Sequence, residues 1–323
     1  MLLAADLGGT ALKLALVDGQ SRLLCRREVS VSFDGYRTPP IVTTERAIRA
    51  LLQETGATIA GIAVSATGQI DAAVGTVAGS NGSIPGYEGT PIRGHLERAF
   101  HLPVHVLNDA NAALLGEMTV GAARGLSDVL MVTLGTGVGG AFVSGGRLLS
   151  GSRGLAGEIG HMLLHPGGEA CTCGQRGCYE RYASTGALLR RAQAALGRPG
   201  LDGQALFVLA QQGDPQALAL LKAWFEDISL GIISLVHLLN PQLVLLGGGV
   251  CRQELLLSSV RRRVLSGVMP CFARELRLES AALGNDAGLV GAAQWWRQCA
   301  EKAAKPALPP FDQPPQPAAK RQH

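Results

Sequence analysis

The sequence predicts an α/β chain folded as two lobes, and three observations carry that expectation. Short apolar runs that read as buried strands alternate with stretches of helical periodicity. Two regions, near residues 2–17 and 129–144, share one outline of strand, glycine turn and strand. The length of 323 residues, 47% of them hydrophobic and 43 of them glycine, suits a large, loop-rich core. Two such units are the layout expected when two lobes clamp one nucleotide.

Taken in order, residues 2–6 read as a buried strand, Gly8-Gly9 as a tight turn, and 11–17 as the returning strand. A third strand is expected over 23–32, a helix over 43–54 and a strand over 59–64. Residues 91–100 look helical. A short strand at 104–107 ends at Asn108-Asp109, and a helix follows over 110–120. The second unit starts with a strand at 129–134, a glycine turn, and a strand over 141–144. Helices are expected at 184–196, 203–212 and 215–239. A strand at 243–246 ends in Gly247-Gly248-Gly249 before a Leu- and Val-rich helix, and 287–302 forms the last helix. From residue 303 the chain turns to Pro, Ala, Gln and Lys and reads as a flexible tail.

Composition removes several functional classes. The net charge of +4 is small for this length, and the densest basic run, Arg261-Arg262-Arg263, reads as the solvated face of a helix. Neither nucleic acid nor a membrane is expected as a partner. The apolar start is broken by Asp6 and lacks a basic leader, and no stretch is long enough to span a bilayer. Seven cysteines do not make a disulfide scaffold in a chain of this size. Three of them cluster at ligand spacing, and the others are isolated, which points to the cytoplasm.

Three glycine-rich turns each follow a strand. Asp6-Leu-Gly8-Gly9-Thr10 lets backbone N–H groups approach an anion, and Asp6 could hold magnesium through water. The same residues also suit a plain tight hairpin. Residues 134–140 contain Gly-x-Gly-x-x-Gly, but a strand and not a helix follows, so a phosphate-binding hairpin fits better than a dinucleotide fingerprint. Gly247-Gly248-Gly249 suits adenine or ribose against backbone, or a crowded strand-to-helix turn. Asp109 stands at an open strand end, as a proton acceptor for an attacking hydroxyl or as a helix N-cap.

The segment from Gly157 to Glu180 holds Glu158, His161, Cys171, Cys173, Cys178 and Glu180. One imidazole and three thiols complete a tetrahedral zinc set with no position left for water, so the metal is expected to be structural. His165 competes with His161 as the fourth ligand.

Together these motifs resemble the ROK family of sugar kinases and sugar-responsive repressors. The resemblance rests on Asp6-x-Gly-Gly-Thr10, Asn108-Asp-Ala-Asn111, Leu134-Gly-Thr-Gly-Val-Gly-Gly140, Gly157-Glu-Ile-Gly-His161 and the Cys171–Glu180 cluster, in order over residues 2–297. It implies an α/β actin-like ATPase (ribonuclease H-like) fold with ATP and sugar in a cleft between lobes. The smaller lobe would be 1–120 joined by the final helix 287–302. The larger would be 121–286 with the zinc segment 157–180.

The resemblance also assigns residues. Asp109 looks like the base. Asn108, Glu158, His161 and Glu180 look like sugar-hydroxyl contacts, with Gly68, Gln69 and Asn81 as further ones. Asp6, Gly8, Gly9, Thr10, Lys13, Gly135, Thr136, Gly137, Gly139, Gly247, Gly248 and Gly249 align with contacts to ATP and its Mg2+. Structural Zn2+ would sit on His161, Cys171, Cys173 and Cys178, and a homodimer is implied. The implied reaction is ATP-dependent phosphorylation of a hexose, glucose first and at its 6-hydroxyl. N-acetylmannosamine comes second, ahead of other hexoses, N-acetylhexosamines and β-glucosides. A sugar-sensing regulator fits less well, because such regulators carry a winged-helix segment before the first phosphate turn, which here begins at Asp6. The run Gly79–Tyr87 departs from the family's usual Pro-Asn stretch but keeps Asn81, and Gln69 stands where the residue varies with substrate.

Overall fold

The computed structural model describes residues 1–304. β1 (Leu2–Leu7) is buried except at the half-buried Asp6, as the apolar run of a central strand requires. It pairs antiparallel with β2 (Ala11–Val17), which pairs antiparallel with β3 (Leu23–Ser30). β3 alternates half-buried and exposed residues, the pattern of an edge strand with one wet face. α1 (Pro40–Thr55) opens with proline at its first helical position and closes on Gly56 in the left-handed region. β4 (Ile62–Ala66) then runs parallel to β1.

A small antiparallel hairpin of β5 (Gln69–Asp71) and β6 (Thr76–Gly79) follows, then α2 (Ile92–Phe100). β7 (Val104–Asn108) lies parallel to β4, and α3 (Asp109–Val120) begins at its end. The sheet order is β3-β2-β1-β4-β7.

The second half repeats this frame. β8 (Val129–Leu134), β9 (Val138–Ser144) and β10 (Arg147–Leu148) form an antiparallel set. A long segment with one 3-10 turn, Ile159–His161, leads to the helices α4 (Glu180–Ala183), α5 (Thr185–Leu196), α6 (Gly203–Gln211) and α7 (Pro215–Leu239). β11 (Leu243–Gly247) runs parallel to β8. After α8 (Glu254–Gly267) and α9 (Pro270–Ala273), β12 (Arg277–Ser280) runs parallel to β11. The order β10-β9-β8-β11-β12 repeats the first sheet with the same strand senses.

α10 (Ala287–Ala304) returns to the first sheet, where Leu289 and Ala293 bury against Leu2, Ala4, Ala15 and Val17. α3 packs Leu114 and Leu115 among Met131, Ala141 and Leu245 of the second sheet. The pair α3–α10 therefore lies between the two sheets. The outer face of the first sheet carries α1 and α2, and that of the second carries α5 to α8.

The structure moves several expected boundaries. The strand expected at 59–64 forms at 62–66, because Ala60 and Gly61 serve as a connector bonded to Met1 and Leu3. β9 begins at Val138, since residues 138–140 continue the ladder with β8. β3 ends at Ser30, where Val31 turns back to bond Thr10. The last helix continues through Ala304, so residues 303 and 304 are helical, and the rest of the expected tail lies outside the described residues. Arg261 is not simply solvated: its Nε donates to the Leu278 carbonyl and holds α8 against β12.

Candidate active site

The parallel strands β1, β4 and β7 of the first sheet, and β8 and β11 of the second, end toward a common cleft, the position where open α/β sheets bind ligands. A cavity of about 400 Å³ lies there. All eight residues assigned to sugar or to proton transfer line it: Gly68, Gln69, Asn81, Asn108, Asp109, Glu158, His161 and Glu180. Gly9, Gly135, Thr136, Gly137, Gly139 and Gly248 line it as well. A second cavity of about 290 Å³ is lined by Gly247, Gly248 and Gly249 and shares Thr133 and Gly248 with the first. Asp6, Gly8, Thr10 and Lys13 line neither cavity.

Asp109 is the first residue of α3, and Asn108 is the cap. The Asn108 side chain accepts from the amides of Ala110 and Asn111 at 3.0 and 3.2 Å. The alternative that Asp109 itself caps the helix is thereby corrected. Asp109 Oδ1 shares the Ala110 amide at 2.8 Å, so the carboxyl group is steadied at the helix start while it lines the cavity. Asn108 also donates from Nδ2 to the Gly68 carbonyl and to Asp109 Oδ1, at 2.9 and 3.0 Å. Its polar atoms are thus engaged in holding the β4 turn and the carboxyl group together.

Burial pushes the Asp109 carboxyl up to about 6, helped by the nearby charge of Asp6 and, less, of Glu158. The Ala110 amide and the Thr67 hydroxyl act in the opposite direction. A carboxyl group poised near neutrality in a cleft is the electrostatic signature of a general base. Asp6 is also held above its ordinary value, by burial first, while Ser65 and Lys13 oppose the shift. The Ser65 hydroxyl donates to Asp6 Oδ1 at 2.7 Å, and Lys13 Nζ lies 3.9 Å from Oδ2.

The segment 157–161 can lie flat on β9 because of its glycines. A methyl group on Gly157, whose φ is +103°, would stand 2.6 Å from the Gly140 carbonyl oxygen, and one on Gly160 would overlap that of Val138. This close stacking sets Glu158 and His161 at the cavity edge. His161 faces two ways. Its Nδ1 is 3.7 Å from Cys171 Sγ, and its Nε2 is 3.9 Å from Glu158 Oε2. The Gln69 amide reaches across the cleft from the first half to donate to Glu158 Oε2 at 3.1 Å.

The donor atoms of His161, Cys171, Cys173 and Cys178 all lie within 4.8 Å of one another. Cys173 and Cys178 Sγ are 3.6 Å apart. A tetrahedral zinc site with Zn–S bonds of about 2.3 Å has S–S edges of about 3.8 Å, so the spacing and the soft donors fit that metal. The cluster of donor atoms takes in His161 and not His165, whose Nε2 lies 2.9 Å from Asp227 and whose ring packs edge-on against Tyr182. Glu180 Oε1 accepts from the Cys171 thiol at 3.2 Å, which ties the far wall of the cavity to the same cluster.

Sequence reasoning missed several participants. Thr67 follows β4 as Asp109 follows β7, and the strand-end logic applied to Asp109 could have found it. Tyr87 is buried and donates to the Thr67 carbonyl at 3.2 Å, so it supports that turn from beneath. Ser65 alternates inward with apolar β4 residues and carries no local signal of its bond to Asp6.

Comparison with known proteins agrees with this geometry. The profile of the ROK family matches residues 2–299. The glucokinase of Thermotoga maritima is 32% identical over 306 residues, covering 90% of this chain and 96% of that protein. The N-acetylmannosamine kinase of Escherichia coli is 33% identical, covering 92% of this chain and 98% of its own length. The crystal structure of a ROK family glucokinase from Streptomyces griseus, in complex with glucose and AMPPNP, superposes with a TM-score of 0.77 at 34% identity and covers 92% of this chain and 99% of that one. With its motifs gathered at one cleft and the match running through nearly every described residue, this chain belongs to the ROK family.

Proposed function

We propose that the protein is an ATP-dependent hexose kinase that phosphorylates glucose on its 6-hydroxyl, with Asp109 as the base. One observation carries the reading: a carboxyl group poised near pH 6 shares a single cavity with a polar ring on one side and uncharged glycine turns on the other. The ring of Gln69, Asn81, Glu158, His161 and Glu180 supplies acceptors and donors for sugar hydroxyls. The turns offer backbone N–H groups to phosphate oxygens without competing side chains.

The sugar sits between the β5–β6 hairpin and the segment 157–180. Asn108 fixes the Asp109 rotamer, and Asp109 takes the proton from the attacking hydroxyl as its oxygen approaches the γ-phosphorus in line. Glu158 and Glu180 hold neighbouring hydroxyls and so select which oxygen faces Asp109. Approach of the two sheets excludes water, which would otherwise compete as acceptor. Asp6 is the residue placed to hold a Mg2+ shell through water, with Lys13 and Ser65 fixing its carboxylate. That ion supplies charge neutralisation on the phosphates. The cluster of His161 with Cys171, Cys173 and Cys178 holds a structural Zn2+, and its role is to fix His161 toward the sugar.

Several wider assignments accompany this reading. Residues 1–120 with α10 act as one lobe and 121–286 as the other, following the two sheets. None of the seven cysteines is paired in a disulfide, in keeping with a reducing cytoplasm. No helix among the described residues is long and apolar enough to cross a membrane. A homodimer follows from the family resemblance.

A coupled ADP-release assay over a panel of hexoses and N-acetylhexosamines tests the proposal. Glucose is expected to give the highest kcat/KM. Preference for N-acetylmannosamine would move the substrate within the family, and no sugar-dependent ADP release would sink the kinase reading.

A further inference from the structure

Glu117 is the one fully buried acidic side chain among the described residues, and it touches neither cavity. A buried carboxylate needs strong partners. Here both partners are backbone amides of the two segments that join the halves of the molecule. Oε2 accepts from Ala122 at 2.8 Å, in the connection from α3 to β8. Oε1 accepts from Leu283 at 2.7 Å, in the connection from β12 to α10. The Glu117 backbone carbonyl also accepts from Gly121 and Ala123, at 3.0 and 3.1 Å.

The surroundings suit a pivot. A methyl group on Gly121 would overlap the Glu117 carboxylate, so the first connection wraps directly over it. One on Gly116 would overlap the Ala287 carbonyl, and one on Gly291 that of Ala112, so α3 and α10 touch backbone to backbone beside it. Asp109 begins α3, eight residues ahead of Glu117. The helix places the two about 12 Å apart along one rigid rod.

We propose that Glu117 is a hinge pin for closure of the cleft, a positioning residue that makes both connections turn together about the α3–α10 pair. Each oxygen holds one connection, so neither can rotate alone without stretching a charge-assisted hydrogen bond. The orientation of α3, and with it of Asp109, is thereby fixed relative to the second sheet. This inference rests on the kinase reading above, in which closure precedes transfer.

The test uses Glu117→Gln, which keeps the volume but presents an NH2 group to one of the two amides. Leu51→Ala, in the buried core of the first sheet away from both connections, serves as the control for simple destabilisation. Both are measured below their melting range, with circular dichroism confirming the folded state. Glu117→Gln is expected to lower kcat by about 10- to 100-fold. Glucose affinity without nucleotide should stay within about threefold, because the sugar residues are remote from the pin. The contraction seen by small-angle scattering on adding glucose and a non-hydrolysable ATP analogue should shrink. Leu51→Ala should keep both kcat and contraction.

Wild-type kcat and contraction in Glu117→Gln would overturn the pin, as would an equal loss in Leu51→Ala. A wild-type protein that turns over glucose without contracting removes the hinge alone. One that contracts without turning over any sugar removes the kinase reading alone.

Discussion

The two five-stranded sheets share one strand order, yet they furnish the cleft in different ways. At the strand ends of the first sheet stand charged groups: Asp6, paired with Lys13 and hydrogen-bonded by Ser65, and Asp109 at the start of α3. The matching ends of the second sheet are nearly bare, with Gly135 to Gly140 after β8 and Gly247 to Gly249 after β11. Its charges arrive from an insertion, the segment 157–180, stacked on β9 through Gly157 and Gly160 and tied together by a metal-type cluster. A repeated frame thus supplies two strand–turn–strand units facing one space. The residues added to each unit divide the proposed labour: proton transfer on the first sheet, phosphate contact on the second, and sugar recognition on insertions from both.

The sharpest way to break that division is Asp109→Asn. It should lower kcat by about 10²- to 10⁴-fold while glucose binding and zinc content stay near wild type. Loss of sugar binding or zinc instead would mean that the strand end serves structure and not transfer. Next in size is Cys173→Ser on the insertion. Zinc should be lost and glucose affinity should fall by about 10- to 100-fold together, read by elemental analysis and calorimetric titration. Full metal with normal affinity would detach the cluster from sugar recognition.

Gly248→Ala probes the bare turns. Gly248 has a φ of +106°, and a methyl group there would overlap the Leu134 carbonyl. The KM for ATP should rise about tenfold with glucose affinity unchanged, since strain of this kind costs about 1–3 kcal/mol. An unchanged ATP KM would release the turn from the nucleotide.

The smallest effects lie in pH. Because Asp109 must be ionised to act and titrates at about 6, kcat/KM should fall tenfold per unit below that value and level off above it. A plateau persisting down to pH 4 would remove Asp109 from proton transfer. The same shift bears on stability with the opposite sense. The folded value is raised above the ordinary carboxylate value of 3.8, so the associated stability is present below that pH and is lost as pH rises through about 6. Asp109→Asn avoids the loss. Its unfolding free energy should therefore gain on that of wild type between pH 4 and 7, by about 1–2 kcal/mol for a partly exposed group, as read from denaturant melts across that range.

Much of the fold was legible because apolar runs end on punctuating residues. β2, β8 and α7 lie at their expected bounds, since Asp18-Gly19, Gly135 and Asn240 close the three runs. The β5–β6 hairpin was not legible: strands of three and four residues are too short to show alternation. Asn108 and Asp109 are adjacent and both suit a cap, so only geometry could say which one takes that position. The choice of His161 over His165 likewise needed the folded positions of the three thiols, which gather around His161 while His165 meets Asp227, 62 residues away in sequence. Glu117 left no trace at all, because a lone acid on a helix ordinarily faces water. The bond from Gln69 to Glu158 spans 89 residues and exists only once the two halves face each other.

The central claim is that Asp109 of the first sheet delivers a sugar hydroxyl to phosphate held by the second. The most direct measurement is glucose-dependent ADP release by the wild-type protein and by Asp109→Asn, both loaded with zinc and saturated with glucose and Mg-ATP. The account predicts steady turnover in the wild type and a loss of at least about 10²-fold in the variant, with glucose still bound. Near-normal turnover by Asp109→Asn would contradict it.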